Sequence, residues 1–214
     1  DWLLSAWLTA AATVINSPGH TAQFLKPRTV EMHNRIRRQW SRSVWSLFLD
    51  ALTELELCGT AANRRNSAVF VGDALDLIPK SQFDAVRLVY ADPPYTKDHY
   101  SRYYHVYETL YRYDYPRIDG TGRCRVDRFS TAFSIQSKVR KAFETLIAEV
   151  AQREIPLVLS YPSNGLLSSA GVNVGDLLAS AFRDIRTIVI DHEHSTLGAS
   201  RGLGLGLAGE LAQR

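Results

Sequence analysis

The sequence predicts an α/β fold in which a helical N-terminal segment precedes a sheet. From residue 67 onward, apolar stretches of strand length alternate with helical stretches, and each apolar stretch ends on polar residues. Residues 1–66 instead carry long helical patterns without a strand-like stretch. We therefore predict a helical segment over residues 1–66 and a sheet-containing part over residues 67–214.

The composition is that of a soluble globular protein, with 45% hydrophobic and 22% charged residues among 214. A net charge of +3 is compatible with nucleic-acid binding but does not establish it. The longest apolar run, Leu3 to Ile15, is too short for a membrane span, so no membrane partner is expected. Cys58 and Cys124 form neither a metal motif nor a disulfide framework, which favours a reducing, cytoplasmic location.

Two helices are predicted in the N-terminal segment. The first covers Trp2 to Ile15, and the second covers about Thr29 to Leu57, with apolar residues at spacings of three and four. The first half of the second helix is strongly basic, with Glu31 as its acid. This is either a solvated face or a phosphate-contacting face; the basic residues in or just before it are Lys26, Arg28, Arg35, Arg37, Arg38 and Arg42.

Four parallel strands are predicted near residues 68–72, 86–91, 155–160 and 185–190. Helical stretches follow three of them and would form the crossovers of a parallel sheet. Since the carboxyl ends of parallel strands lie at one edge, Asp73, Asp92 and Tyr161 are expected there. The tail from Arg201 is rich in Gly and Leu and shows no convincing strand pattern.

The second of these strands ends in the sequence Asp92-Pro93-Pro94-Tyr95. The two prolines fix their own φ and push the preceding residues towards extended conformations, which gives a stiff corner with free carbonyls. The Asp92 carboxylate and the Pro93 carbonyl can each accept one N–H of a planar amine, which would localise its lone pair. Tyr95 can stack on the base that carries this amine.

This corner resembles the catalytic motif of S-adenosylmethionine-dependent amino-methyltransferases, in the form usual for N6-adenine DNA methyltransferases. The resemblance extends from about Ser67 to Gly198. It implies a Rossmann-like sheet, S-adenosylmethionine as cofactor, DNA as partner, and catalytic roles for Asp92, Pro93, Pro94 and Tyr95. The alternative is an ordinary turn after a core strand, because Asp and Pro are common turn residues.

The same resemblance assigns a cofactor role to Asp73 and Ala74. In the family, an acid after this strand binds the adenine amine of S-adenosylmethionine, and a neighbouring backbone N–H meets a ring nitrogen. A helix N-cap at Asp73 is the alternative explanation.

Two further cofactor features of the family are not found upstream of Val69. These are a glycine-rich turn after a first strand and an acid after a second strand. Gly204 and Gly206 follow no predicted strand. The chain also begins at Asp1 rather than at Met. We therefore expect an N-terminally truncated piece of a longer protein, with residues 67–214 as the C-terminal part of a catalytic domain, and we expect this piece alone to be inactive.

Basic residues after the corner are the predicted nucleic-acid contacts. Arg123, Arg125 and Arg128 lie in a long irregular segment from Asp114 to Phe133, and Lys97 directly follows the motif. Their guanidinium and ammonium groups could contact phosphates or a base edge. A flexible, charged surface loop explains the arginines equally well.

Two functional alternatives remain open: methylation of an RNA base, and a catalytically inactive nucleic-acid-binding fragment. Asp at position 92 favours adenine over cytosine, because the family typically has Ser for cytosine. His192 and His194 could face one side of an extended chain, but no third ligand is evident, so no metal is predicted.

Overall fold

The computed structural model describes residues 1–17, 19–190 and 207–213. The chain forms two compact units. Unit 1 contains Asp1–Phe70 and Tyr100–Phe129, and unit 2 contains Val71–His99 and the chain from Ser130 onward. Residues 100–129 thus belong with the N-terminal helices, although the sequence predicts one continuous part from residue 67. The assignment of the two predicted parts to functional domains stays a prediction.

The helices follow the predicted helical stretches with shorter bounds. In chain order they are α1 Trp2–Val14, α2 Val30–Trp40, α3 Val44–Glu54, α4 Ala61–Arg65, α5 Ala74–Leu77, α6 Tyr100–Tyr103, α7 His105–Arg112, α8 Gln136–Gln152, α9 Leu166–Ser169 and α10 Val174–Ala179. Short 3-10 turns cover Ser81–Phe83 and Ala132–Ser134. Among the described residues, no helix is long and apolar enough to cross a membrane.

The predicted helix from Thr29 to Leu57 is wrong, because the structure breaks it into α2 and α3. The Ser43 hydroxyl accepts the Ser46 N–H at 3.2 Å and so caps the start of α3. Serine competes with helix continuation through such local hydrogen bonds. The apolar spacing continues across the break, which is why periodicity alone did not detect it.

The strands are β1 Val89–Ala91, β2 Ile118–Asp119, β3 Cys124–Arg125, β4 Leu157–Pro162, β5 Asp184–Ile190 and β6 Leu207–Gln213. In unit 1, β2 and β3 form an antiparallel hairpin. In unit 2, the sheet has the order β1-β4-β6-β5. β1 is parallel to β4, and β6 is antiparallel to both β4 and β5, so β1, β4 and β5 run in one direction. The predicted α/β class is confirmed.

Two strand predictions are wrong. Residues 68–72 form no strand, and Val69 and Val71 are 92% and 98% exposed. No described strand pairs with this stretch, so its β-forming residues have no ladder to join. Conversely, β6 forms in the tail for which no strand was predicted. It pairs on both sides, with β4 and with β5, and this tertiary context outweighs its weak strand composition.

The core of unit 2 lies where α8 packs against the sheet. Phe143 is fully buried, and its ring meets Phe133 and Tyr161 edge-on, with ring centroids 5.3 and 5.0 Å apart. Leu157 and Leu159 of β4 are also buried. The carboxyl end of β4 is therefore held rigidly by the core.

Candidate active site and nucleic-acid interface

The Asp92 corner begins where β1 ends. β1 pairs with β4 such that Ala91 lies opposite Leu159, and Asp92 therefore emerges at the same sheet edge as Tyr161. The Asp92 side chain is exposed. Within the described part of the chain, its carboxylate has no hydrogen-bond partner. Both oxygens are available to a ligand.

Pro93, Pro94 and Tyr95 fix the path of the chain after Asp92. Pro93 is buried, and Pro94 is half-buried. The Tyr95 carbonyl accepts the Leu166 N–H at 2.8 Å, and the Tyr95 side chain is 37% exposed. Leu166 is the first residue of α9, where backbone N–H groups lack partners within the helix. This hydrogen bond anchors the corner to the chain that follows β4.

Tyr161 supports the turn that makes this anchor. Its side chain is 2% exposed, and its hydroxyl oxygen accepts the Leu167 N–H at 3.0 Å. Burial raises the pKa of this hydroxyl. A Cβ at Gly165 would lie 2.5 Å from the Tyr161 ring, so only glycine allows this approach. Gly165 and Tyr161 together set the position of Leu166, and hence of Tyr95.

Asp73 is the N-cap of α5, which is the alternative explanation that the sequence left open for this residue. Its Oδ1 accepts the Leu75 N–H at 3.0 Å, and its Oδ2 accepts the Thr131 hydroxyl at 3.4 Å. Ala74 is the exposed first residue of the helix. The hydrogen bonds of Asp73 thus go to its own helix and to Thr131. A cap does not exclude a ligand, because each carboxylate oxygen can accept more than one hydrogen bond.

Arg125 is buried within unit 1 at 3% side-chain exposure. Its guanidinium forms a two-point ion pair with Asp114 and also bonds Asp127, with Nε donating to Asp127 Oδ1 at 3.0 Å. A further donor reaches the Thr109 hydroxyl at 3.3 Å. The hydrogen bonds from Arg125 lower the pKa of both carboxyl groups, and the carboxylates raise the pKa of Arg125 in turn.

These partners conflict with the prediction that Arg125 contacts nucleic acid. A guanidinium has five N–H donors, and those of Arg125 are directed to carboxylates and to a hydroxyl inside the unit. Arg125 instead fixes the β2–β3 hairpin to the segment after α7. The prediction of a direct contact is therefore kept only for Arg123, Arg128 and Lys97.

Those three side chains are exposed. Arg123 lies in the hairpin turn with a φ of 50°, and its N–H donates to the Gly120 carbonyl at 3.0 Å. The Arg128 Nε donates to the Arg125 carbonyl at 2.8 Å, which orients its guanidinium. Lys97 follows the Asp92 corner in unit 2.

The family model for D12 class N6 adenine-specific DNA methyltransferases matches residues 50–156, which is half of the chain and includes the Asp92 corner. The chain belongs to this family. DNA methyltransferases of this family use S-adenosylmethionine as methyl donor. No solved structure matches the chain.

Curated relatives are modification methylases. Modification methylase LlaI of Lactococcus lactis subsp. lactis is 45% identical over 151 residues, which cover 70% of this chain and 21% of the relative. Type II methyltransferase M.FokI of Planomicrobium okeanokoites is 41% identical over 96 residues, covering 44% and 14%. Modification methylase StsI of Streptococcus sanguinis is 26% identical over 169 residues, covering 78% and 22%. The matched part of the chain thus spans only 14% to 22% of the length of these relatives.

No metal site is found for this family member among the residues that the structure describes, where no group of three His, Cys, Asp or Glu side chains converges. His192 and His194 lie outside the described residues.

Sequence reasoning missed the residues that support the corner. Tyr161 was placed at the sheet edge, but its hydrogen bond to Leu167 and its contact with Gly165 were not predicted. The turn signal Pro162-Ser163-Asn164-Gly165 after the strand could have indicated a tight turn at this edge. Nothing in the sequence alone pairs Leu166 with Tyr95, because 71 positions separate them.

Proposed function

We propose that this protein transfers a methyl group from S-adenosylmethionine to the N6 amine of adenine in DNA. The observation that carries the proposal is the Asp92 corner. An exposed carboxylate without a hydrogen-bond partner in the described chain follows a sheet strand. A buried proline and the Tyr95–Leu166 hydrogen bond hold it in place.

The corner's acceptors match the two hydrogens of the adenine amine. The Asp92 carboxylate and the Pro93 carbonyl each accept one N–H. With both hydrogens held, the nitrogen lone pair is withdrawn from the ring and becomes the nucleophile. S-adenosylmethionine, when bound, would supply the electrophilic methyl group: the C–N bond would form as the C–S bond breaks, and S-adenosylhomocysteine would leave with the electrons of that bond.

Asp92 also stabilises the charge that develops during the transfer. As the new C–N bond forms, positive charge grows on N6, and a nearby carboxylate interacts with it more strongly than with the neutral amine. The carboxylate then lies within reach of the proton that N6 must release. Preorganisation matters here, because a corner fixed by prolines does not need to reorganise during the reaction.

Tyr95 is proposed to hold the base. An adenine inside a duplex cannot reach the corner, so the target nucleotide must be extruded from the stack. The partly exposed Tyr95 ring offers a stacking face next to Asp92. Its backbone hydrogen bond to Leu166 fixes the position of the residue.

Asp73 and Ala74 fit the adenine edge of the cofactor in donor and acceptor type. A carboxylate can accept the adenine amine, and the N–H of the first helical residue can donate to a ring nitrogen. The Asp73 Oδ2 has one long hydrogen bond of 3.4 Å, which leaves acceptor capacity. We propose these two residues as cofactor contacts.

We also propose that the sheet is part of a Rossmann-like methyltransferase sheet. Three strands run in one direction, and the last strand in sequence lies antiparallel between two of them. In such open sheets, ligands bind outside the carboxyl ends of the strands, which is where Asp92 emerges.

Methyl transfer from radiolabelled S-adenosylmethionine to adenine-containing duplex DNA tests the function in the full-length protein. We expect Asp92→Ala to lower the rate on the order of 100-fold or more, because it removes an electrostatic contact made in the transition state. Cofactor affinity should stay largely unchanged. The control is Asp50→Ala, which removes an exposed carboxylate from α3 and should leave the rate unchanged.

Near-normal turnover by Asp92→Ala would refute the mechanism. Transfer to RNA instead of DNA would retain the mechanism but change the substrate. Tyr95→Phe should retain more activity than Tyr95→Ala, because Phe keeps the stacking face. Equal loss in both variants would mean that the hydroxyl, rather than the ring, is needed.

A further inference from the structure

A basic cleft of about 580 Å³ lies within unit 1, apart in sequence from the Asp92 corner. It is formed by the connector between α1 and α2 (residues 20–28), by α6, and by the β2–β3 turn. Four cationic side chains line it, against the single carboxylate of Asp119; they are Lys26, Arg28, Arg102 and Arg128. Of these, the sequence predicts a nucleic-acid contact for Arg128 and leaves a phosphate contact open for Lys26 and Arg28, whereas Arg102 was not singled out. The excess of positive charge indicates an anionic ligand.

The wall formed by the connector is pinned in place. Both the N–H and the hydroxyl of Thr21 donate to the Tyr103 carbonyl at 2.6 Å. The Thr21 carbonyl in turn lies 2.9 Å from His105 Nε2. Burial lowers the pKa of His105, and its Nε2–H donates to the Thr21 carbonyl, because a carbonyl oxygen can only accept. The connector is thereby fixed to α7 and to α6, which carries Arg102.

The opposite wall is a tight turn that fits against this connector. A Cβ at Gly122 would collide with the Ala22 carbonyl, so only glycine permits the approach. Gly120 has a φ of 68°, and its N–H donates to Asp119 Oδ1 at 2.7 Å. The only carboxylate in the lining is thus partly satisfied by its own turn.

An aromatic side chain adds a second kind of contact. Phe24 lines the cleft and is 47% exposed, with the Lys26 ammonium 5.8 Å from its ring centroid. Cations beside an exposed ring are the combination that proteins use on nucleic-acid strands, where phosphates and bases alternate. An acidic peptide would use the cations but would have no need of the ring.

We propose that the basic cleft binds the phosphodiester backbone of the DNA substrate, with Phe24 packing on a sugar or a base. This deepens the proposed function, on which it rests, by assigning a DNA-binding surface outside the Asp92 corner. Lys26 and Arg28 contact phosphates and carry no base specificity, because phosphate contacts position a duplex without reading its sequence.

The test measures duplex binding by full-length protein over a range of salt concentrations. We expect Lys26→Gln/Arg28→Gln to weaken binding on the order of ten-fold for duplexes of any sequence. The slope of log affinity against log salt should fall by about 2, since each phosphate contact contributes roughly 1. The matched control is Arg65→Gln/Arg117→Gln, which removes the same charge from exposed positions of the same unit outside the cleft lining.

The outcomes separate this proposal from the function. Equal losses in both double variants would assign the effect to diffuse charge and overturn the cleft. Wild-type protein that binds no duplex DNA would overturn the function itself. Circular dichroism checks whether the cleft variant keeps its helical content. If it does not, a footprint on unaltered protein tests the proposal instead. There, duplex DNA should protect Lys26 from acetylation more than Lys141, whose side chain is 81% exposed. Equal acetylation of Lys26 with and without DNA would contradict the proposal that the basic cleft binds DNA.

Discussion

Two apolar stretches of similar composition behave differently in this chain. Residues 68–71 and 88–91 are both rich in β-forming residues, and both precede an aspartate at a predicted sheet edge. Only the second becomes a strand, with Val89 and Ala91 half-buried opposite Leu157 and Leu159. Val69 and Val71 of the first are over nine-tenths exposed.

The difference shows that partners, rather than composition, decide whether a strand forms. β1 is only three residues long, and β4 supplies its hydrogen-bond ladder. The buried face of β4 packs against α8, so the strand that pairs with β1 is itself part of the hydrophobic core. Residues 68–71 have no such neighbour among the described residues. Strand propensity measures fit to a half-buried surface, and it has no effect where that surface is missing.

The largest effect on stability is expected from shortening a buried side chain in β4, the strand that pairs with β1. Leu159 is 1% exposed and lies opposite Ala91. Leu159→Ala should lower the free energy of unfolding by about 2–5 kcal/mol, because it removes buried methyl groups and leaves a cavity. Urea denaturation followed by circular dichroism measures this. A loss below about 1 kcal/mol would mean that β4 does not rest on a packed core.

The second-largest effect on stability is expected in the β2–β3 hairpin, which a cluster of ion pairs holds in place. The β2–β3 hairpin has only two residues in each strand, and the buried Arg125 ties it to Asp114 and Asp127. Arg125→Met should destabilise unit 1 less than Leu159→Ala destabilises unit 2. Arg117→Met, at an exposed position of the same segment, is the control. Equal melting temperatures for the two variants would contradict a structural role for Arg125.

The pH dependence gives this prediction a sign. The pKa of Asp114 and of Asp127 is lowered in the folded protein, chiefly by hydrogen bonds from Arg125. Their contribution is therefore fully present above the unfolded pKa of about 4, and it is lost as the pH falls further. Wild-type protein should lose stability below about pH 4 more steeply than Arg125→Met. Parallel curves of melting temperature against pH would show that the cluster adds no stability.

The sequence was sufficient for features that depend on local pattern. The α/β class, the first helix, the strands β1, β4 and β5, and the family were predicted correctly. The position of Asp92 at the end of a strand was also predicted, because a polar residue after an apolar run marks a strand end. The functional roles of Asp92 and Asp73 stay predictions.

Features that depend on distant partners could not be predicted. Alternating arginines suit phosphates and aspartates equally, and only the fold brings Asp114 and Asp127 to Arg125. The strand β6 is poor in β-branched residues and forms because β4 and β5 flank it. The Lys26–Arg28 connector joins the β2–β3 turn only in three dimensions, through the close approach of Ala22 and Gly122.

A smaller effect is expected at the anchor behind the corner. Tyr161→Phe removes the acceptor of the Leu167 N–H and keeps the ring that Phe143 contacts. A buried N–H without a partner costs about 1–3 kcal/mol. Hydrogen exchange measures this directly, and the Leu167 amide should exchange faster in the variant. Unchanged protection would mean that another acceptor replaces the hydroxyl.

The smallest effect is expected in the exposed stretch, where the comparison is sharpest. Val71→Thr keeps the β-branched shape and replaces one methyl group with a hydroxyl, so its cost reports burial rather than propensity. At 98% exposure, the free energy of unfolding should change by no more than about 0.5 kcal/mol. Val89→Thr is the matched substitution in the formed strand, and it should cost more because Val89 is half-buried. Equal costs would show that Val71 is buried in solution. The lack of a strand partner would then fail as the reason why residues 68–71 form no strand.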